Sequence, residues 1–593
     1  MANRSKLTRA AATTRSSARR PLSTSKPRGP RRLRRAALGV LLAASLLISS
    51  CSTTGGYWIP PSSSATPPVE LASLPGQTAG GDSIPDAADT GEIPSNSPIV
   101  DLEQTQAAAA VAAALETVVP LETAAPTETP VLNPTDTAGT PDPASQQPLI
   151  PSVDTAPYLY KAQAADTLPA VAVRFDVLPE EITSPDPLDP AAVLNPGQLL
   201  VIPRRLMNTT TSQQILPDSE LVYSPSATDF DIHSYVSLAG GKLNTYREWL
   251  KSTGLTSGAG VVQRVALENS INPRLLLALL EFQNHWVSGQ PTSPDEVNYP
   301  LGLVNASEKG LYHQLVWAVN QLSVGYYSWR EGRLTELKFS DGVTARLAPD
   351  LNAGSAAVQY YFSHLYPDSQ RWLQALDPQQ GFPALYEEMF GSPWERAQRV
   401  EPLYPPGLAQ PPMILPFVLD QYWSFTGGPH GAWEHDGSYA AIDFAPPSTA
   451  AGCIKSNVWV TAAASGLVVR SEPGVVVLDL DGDGYEQTGW VLLYLHVSTE
   501  GRIPVGSWVE TGTPLGHPSC EGGLSTGTHL HLARKYNGEW IAAAGPMPFV
   551  LSGWVTQAGQ QAYKGSLVRD DQVVEACTCS SAKTWIGRTE NDP

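Results

Sequence analysis

Between residues 52 and 155 the chain has no lysine and no arginine, is dense in Pro, Thr, Ser and Ala, and shows no sustained apolar periodicity. A stretch like this cannot bury enough apolar surface to offset the entropy of ordering it. It reads as a disordered, partly polyproline tether (51–155), with a single short helix in LEQTQAAAAVAAALE (102–116). The folded mass must therefore lie on its C-terminal side. That remainder is still too long for one core, so several domains are expected.

The segment before the tether has the layout of an export signal. Residues 1–50 carry twelve Lys/Arg and no Asp/Glu, ending in RRLRR (31–35), an apolar run AALGVLLAASLLISS (36–50), and then Cys51. The run is short for a membrane span but suits a signal-peptide core. ISSC (48–51) resembles the lipobox of bacterial lipoproteins, which implies cleavage before Cys51, lipid attachment to its thiol and a membrane-anchored location at the cell envelope. The formal charge of −19 leaves −31 for the rest of the chain once the +12 head is set aside. A body that acidic repels phosphate, which argues against nucleic acid as a partner. Export also makes disulfides possible for Cys453, Cys520, Cys577 and Cys579, which could pair in three ways. Cys453 and Cys520 flank core strands, so a bridge between them would hold the loop that begins at Cys520.

Residues 156–205 change texture. YLYKAQ is strand-like, LPAVAVRF helical, and NPGQLLVIP a turn followed by a strand. The set Asp166, Thr167, Leu168, Ala172, Arg174, Phe175, Val177, Gly197, Gln198, Leu199, Ile202 and Pro203 resembles a LysM module, with Ala165 in the place of the usual glycine and an insertion over 183–195. The resemblance implies a small βααβ unit that binds the glycan of peptidoglycan.

From 216 to 410 the pattern is mainly helical. VVQRVALENSINPRLLLALLEFQNHW (261–286) has apolar residues at helical spacing and an Asn272–Pro273 start signal. INPRLLLALLEFQ resembles the entry helix of lysozyme-like transglycosylases, but Gln283 stands where that family has its catalytic glutamate, and Glu281 falls elsewhere on the helix. A lone carboxylate is thin support for glycosidic cleavage.

From 413 the chain is rich in Val and aromatic residues, with Gly and Asp turns, as expected of a mainly antiparallel β domain over 413–560 followed by a cysteine-containing extension over 561–593. DGDG (481–484) fits a hairpin turn; a calcium loop of the EF-hand type would need an acidic residue where Trp490 stands. Six of the ten histidines lie here: His430, His435, His496, His517, His529 and His531. In a strand, His529 and His531 share one face while Thr528, Leu530 and Leu532 share the other. Two imidazoles on one face suit a metal ligand paired with a proton-transfer group.

The order His430, Asp443, His496, then His529-x-His531, with VGSWVETGTPLGH (505–517) between, resembles the lysostaphin/LytM zinc endopeptidases, and the long His430–Asp443 gap is most similar to the beta-lytic branch. The resemblance implies Zn²⁺ held by His430, Asp443 and His531, catalytic roles for His496 and His529, and the peptide stems of peptidoglycan as substrate. His435 is a competing ligand, because the common motif has a shorter gap. Two other readings remain open at this point: a non-enzymatic envelope scaffold that activates separate amidases, and a bifunctional hydrolase whose helical region cuts glycan.

Overall fold

The computed structural model describes residues 156–433, 436–448, 450–590 and 592. The signal, Cys51, the tether and His435 lie outside the described residues. Among the described residues no helix is long and apolar enough to cross a membrane.

The first unit is small. Strand Tyr158–Lys161 pairs antiparallel with Leu199–Ile202, and between them run the helix Leu168–Phe175 and one 3₁₀ turn, Pro179–Glu181. Thr167 caps the helix by accepting from the Ala170 amide, a standard use of a threonine hydroxyl. A second helix was expected here and only the 3₁₀ turn forms. Pro185, Pro187 and Pro190 follow it, and a chain without those amide donors cannot carry a helix forward. Tyr160, Leu168, Val171, Phe175, Leu200 and Ile202 make its core.

The helical region follows. Helices Gly258–Asn269 and Pro273–Asn284 are joined at Ser270, which is left-handed, and at Asn272, whose side chain caps the second helix. The longest helix, Leu311–Arg330, packs along Ala353–Leu365. Gly325 permits that contact: a Cβ there would meet the Ala357 Cα and the Tyr360 Cβ at 2.8 Å.

The C-terminal region is built on a main antiparallel sheet. Its strand order is Trp508–Val509, Gly466–Glu472, Gly474–Asp479, Trp490–Val497, Leu530–Tyr536, Ala441–Ala445, Tyr422–His430 and Trp585–Gly587. DGDG lies in the loop between Gly474–Asp479 and Trp490–Val497, which pair antiparallel as a hairpin. One face of the sheet carries Ile442, Phe444, Leu492, Tyr494, Leu530 and Leu532, and packs with Phe417, Trp423 and Phe549. The other carries Ala441, Val477, Leu493, Leu495 and Ala533, and belongs to the same core as the helical region. The sheet is therefore buried on both faces, and its run of Val and Leu on successive positions follows from that.

The extension drawn at 561–593 is not an appendage. The boundary at 560 cuts the hairpin Trp554–Ala558/Gly565–Arg569, part of a four-stranded sheet, and the last strand, Trp585–Gly587, is an edge of the main sheet beside Tyr422–His430. Alternating short apolar positions such as Leu567 and Val574 are too few to announce this sheet in advance.

Candidate metal centre

Three neighbouring strands converge on one point. His531 and Asp443 are direct cross-strand partners, and Gly427 sits opposite Asp443 on the other side. Directly opposed residues project to the same face with Cβ atoms about 5 Å apart, so the register alone brings the imidazole to the carboxylate. The GGPH segment (427–430) is the end of the strand Tyr422–His430, irregular in register at Gly427 and His430. Gly427 is required there: a Cβ would lie 2.5 Å from Asp443 Oδ2. The irregularity delivers His430 to the same point.

His430, Asp443 and His531 are all buried. His430 Nε2 lies 3.0 Å from His531 Nδ1, and each lies 3.3 Å from Asp443 Oδ1. The outer ring nitrogens face backbone carbonyls, His430 Nδ1 to Gly428 O at 2.8 Å and His531 Nε2 to Ala432 O at 2.9 Å. A carbonyl only accepts, so each of those nitrogens carries its proton. In the neutral rings the inner nitrogens then present lone pairs, and they present them to a carboxylate oxygen that has no hydrogen-bond partner. Three acceptors packed at this distance, with nothing to donate between them, form a site for a cation. Tetrahedral ligands about 2.0–2.2 Å from zinc are themselves about 3.3 Å apart, so the observed triangle fits that ion.

Charge tells the same story. Burial opposes ionising Asp443, but His430 and His531 outweigh it and hold the carboxyl well below its usual range. Burial also opposes protonating His430, yet Asp443 raises its pKa above the ordinary value; burial lowers that of His531. A proton is thus the competitor for the cation at this site.

His496 and His529 stand beside the triangle, their ring centroids 4.4 Å apart. His496 is the penultimate residue of the strand Trp490–Val497. Strict alternation would send it to the face of Tyr494, away from the site; its left-handed backbone, φ 68°, breaks the alternation. Its Nδ1 faces Glu521 O, and that of His529 faces Gly527 O, both at 2.8 Å. Both rings therefore offer a bare Nε2, and His529 Nε2 lies 3.8 Å from Asp443 Oδ1. Burial, then the neighbouring His529 and His531, push the pKa of His496 down to about 3, so its ring is neutral. These residues line a cleft of about 950 Å³. Cys453 and Cys520 are disulfide-bonded, Cα atoms 5.8 Å apart, and tie the strand-entry loop to the loop that carries Glu521. Cys577 and Cys579 form the second bridge.

One site residue was not legible in the sequence. Tyr563, in the turn of the C-terminal hairpin, stacks on His430 with centroids 4.1 Å apart. Its carbonyl accepts from the Gly428 amide, and its amide donates to Pro429 O. Nothing in QQAYKG marks it; only the pairing of 554–558 with 565–569 puts it there. His517 is elsewhere, packed at a tilt against Trp459 and bonded to Val458 O.

Other candidates are engaged otherwise. Glu281 accepts from the amides of Val287 and Ser288 at 2.8 and 3.0 Å, and Gln283 bonds the Tyr366 hydroxyl. Glu281 is a buried structural clamp, unlike a glycosidase acid. In the small unit, Asp166 is buried against Arg174 and the Tyr160 hydroxyl, and the adjoining Gln163 bonds the carbonyls of Asp350 and Leu351 in the helical region. Ala165 takes a left-handed conformation (φ 61°) that suits the glycine of the pattern. Asp479, Asp481 and Asp483 cluster, but Asp479 and Asp483 accept from amides of their own loop.

Residues 214–404 match the family model described as the LasA N-terminal domain. Two curated relatives, both named Protease LasA and from two strains of Pseudomonas aeruginosa, are each 28% identical over 352 residues, covering 56% of this chain and 75% of theirs. Among solved structures, the M23 metalloprotease pseudoalterin from the deep sea is 25% identical over 28% of this chain and 96% of its own, with a TM-score of 0.25. The catalytic domain of lysostaphin from Staphylococcus simulans is 23% identical over 21% and 90%, with a TM-score of 0.16.

Proposed function

We propose that this chain is a zinc endopeptidase that cuts peptide cross-links of bacterial peptidoglycan. The observation that carries the reading is the convergence of His430 Nε2 and His531 Nδ1 on the unpartnered Asp443 Oδ1. The relatives named Protease LasA support a peptidase. His430, Asp443 and His531 would hold the ion. Two imidazoles and a carboxylate are a donor set that leaves zinc an open position, and zinc there supplies Lewis acidity for polarising a peptide carbonyl and for acidifying water.

The remaining chemistry belongs to the chain. His496 and His529 present unprotonated Nε2 atoms to the cleft, so either can accept a proton from water and return it to the departing amine. Once protonated, such a ring is also a donor for a developing oxyanion. The Glu521 and Gly527 carbonyls keep both rings in the tautomer this requires. Tyr563, stacked on His430, fixes the orientation of that ring.

The reading extends to location. The ISSC motif supports a lipid on Cys51, and the LysM-like pattern supports a glycan contact by residues 156–205. Loss of lipid labelling in Cys51→Ala tests the first, and retention of the full chain on insoluble peptidoglycan tests the second. The function itself is tested by digesting purified peptidoglycan with the full chain and reading the products by mass spectrometry. New amino termini are expected. New reducing sugar ends would transfer the activity to the helical region, and undigested wall with a zinc-loaded protein would leave the amidase-activator reading.

A further inference from the structure

The sheet face that carries His531 and Asp443 runs on to the edge of the sheet. His531 pairs with Asp443. Two residues beyond Asp443, Ala445 pairs with Ser424, and Ser424 pairs with Trp585 in the last strand. Opposed residues share a face, and alternate residues along a strand share it too. Tyr422, opposite Gly587, therefore joins Trp585 on the face of the triad. Exposure follows the alternation. Trp423 and Ile586 are 0% and 1% exposed, in the core on the far side, while Tyr422 and Trp585 are 55% and 51% exposed. Both rings are held in place. The Tyr422 ring lies on the Gly587 backbone, where a Cβ would meet its Cδ1 at 3.0 Å. The Trp585 indole N–H donates to Ser580 Oγ at 3.4 Å, and the Ser580 and Ser424 hydroxyls bond each other at 2.9 Å. Ser580, with Thr578, Thr426 and Ala445, belongs to the lining of the cleft that holds the triad. Cleft and aromatic pair are thus one continuous surface.

We propose that Trp585 and Tyr422 form a saccharide subsite of the cleft, which takes the N-acetylated amino sugar attached to the peptide being cut. The subsite rests on the peptidoglycan-peptidase reading and adds a second part of the substrate to what that site grips. The two rings stand at an open sheet edge and not in a pocket, so they offer faces to a flat ligand, where an apolar side chain would call for a hole. Aromatic faces beside hydroxyls match a pyranose, which has an apolar C–H face and a rim of hydroxyls. Among the described lining residues of the cleft there is no Lys, Arg or Glu, and Asp443 is committed to the triad, so the path from the triad to the rings suits an uncharged ligand. Trp585 lies two strands across and two residues along from Asp443. By sheet geometry that is about 12 Å, which an extended peptide spans with about four residues. Tyr422 and Trp585 are diagonal neighbours about 7–8 Å apart, close enough for one saccharide to touch both.

The test uses the full chain as wild type, Trp585→Ala, Trp585→Phe and Tyr422→Ala. Two substrates are compared: a cross-linked peptidoglycan peptide with its amino sugars attached, and the same peptide with the sugars removed. KM and kcat are measured on both, with zinc content and melting temperature for each form. An aromatic contact of this kind corresponds to a change of about two- to tenfold. The wild type is expected to show a KM lower by that factor on the sugar-bearing substrate. Trp585→Ala and Tyr422→Ala should erase the difference with kcat, zinc and the sugar-free KM unchanged, and Trp585→Phe should keep part of it. Equal KM values in the wild type would overturn the subsite. So would a loss in Trp585→Ala that is the same on both substrates, because it marks a peptide contact. Calorimetry with a tetrasaccharide of N-acetylglucosamine needs no turnover, and so distinguishes failure of the subsite from failure of the peptidase reading. Trp585→Ala is expected to bind fewer tetrasaccharides per chain than the wild type, and identical isotherms would overturn the proposal.

Discussion

One strand, Leu530–Tyr536, supplies two buried clusters on the same sheet face. His531 joins Asp443 and His430; four residues along, Lys535 joins Glu486 and Arg470. Both clusters centre on a buried carboxylate. At Glu486 each oxygen meets a cation, Lys535 at 3.1 Å on one and Arg470 at 3.1 Å on the other. Burial opposes its ionisation, but Arg470 and Lys535 prevail and keep it ionised. At Asp443 the neighbours are imidazole nitrogens whose protons are turned outward to backbone carbonyls. The Glu486 cluster is complete within the protein. The Asp443 cluster is one that a cation would complete. That contrast separates structural charge burial from a ligand site more surely than burial or acidity alone.

The contrast can be broken most severely at Asp443. Asp443→Ala is expected to abolish zinc binding and to cut turnover by more than about 10⁴-fold, the upper range for a single catalytic group. Elemental analysis and peptide cleavage read the two effects. His529→Ala and His496→Ala should sharpen it: zinc is retained while turnover falls about 10²–10⁴-fold. Loss of zinc from either variant would move that histidine into the ligand set. The Glu486 cluster should respond in the opposite currency. Glu486→Ala strands two buried cations and is expected to cost about 3–5 kcal/mol in chemical denaturation, while zinc content and activity per folded molecule stay unchanged.

A half-buried carboxylate, Glu401, falls between these cases. Burial, then the nearby Asp218 charge, push its pKa up to about 7. An acid raised in the folded state contributes stability that is full below about 4.5 and is lost as pH rises through about 7. At about 1.4 kcal/mol per unit, denaturation midpoints should record a loss of up to about 3 kcal/mol across that window, and Glu401→Gln should flatten it.

How much of this the sequence discloses depends on the range of the interactions. His529 and His531 could be read because strand alternation is local; Leu530 and Leu532, expected on the opposite face, lie in the core on that side. Asn272 announced a helix start because capping is local too. His496 reaches the site only through a positive φ that no neighbouring glycine signals, and its role came from family resemblance. Tyr563 reaches it through the pairing of distant segments, which no periodicity encodes. The small unit shows the converse: its pattern was legible, yet Asp166 and Gln163 are committed to contacts inside the protein.

A metal is expected to finish the Asp443 cluster and not the Glu486 cluster. Zinc per chain, measured after exhaustive dialysis on the wild type, His531→Ala and Glu486→Ala, tests it directly. About one zinc is expected in the wild type, none in His531→Ala and about one in Glu486→Ala. A folded, zinc-free wild type prepared with zinc supplied, or a His531→Ala chain that keeps its zinc, would contradict it.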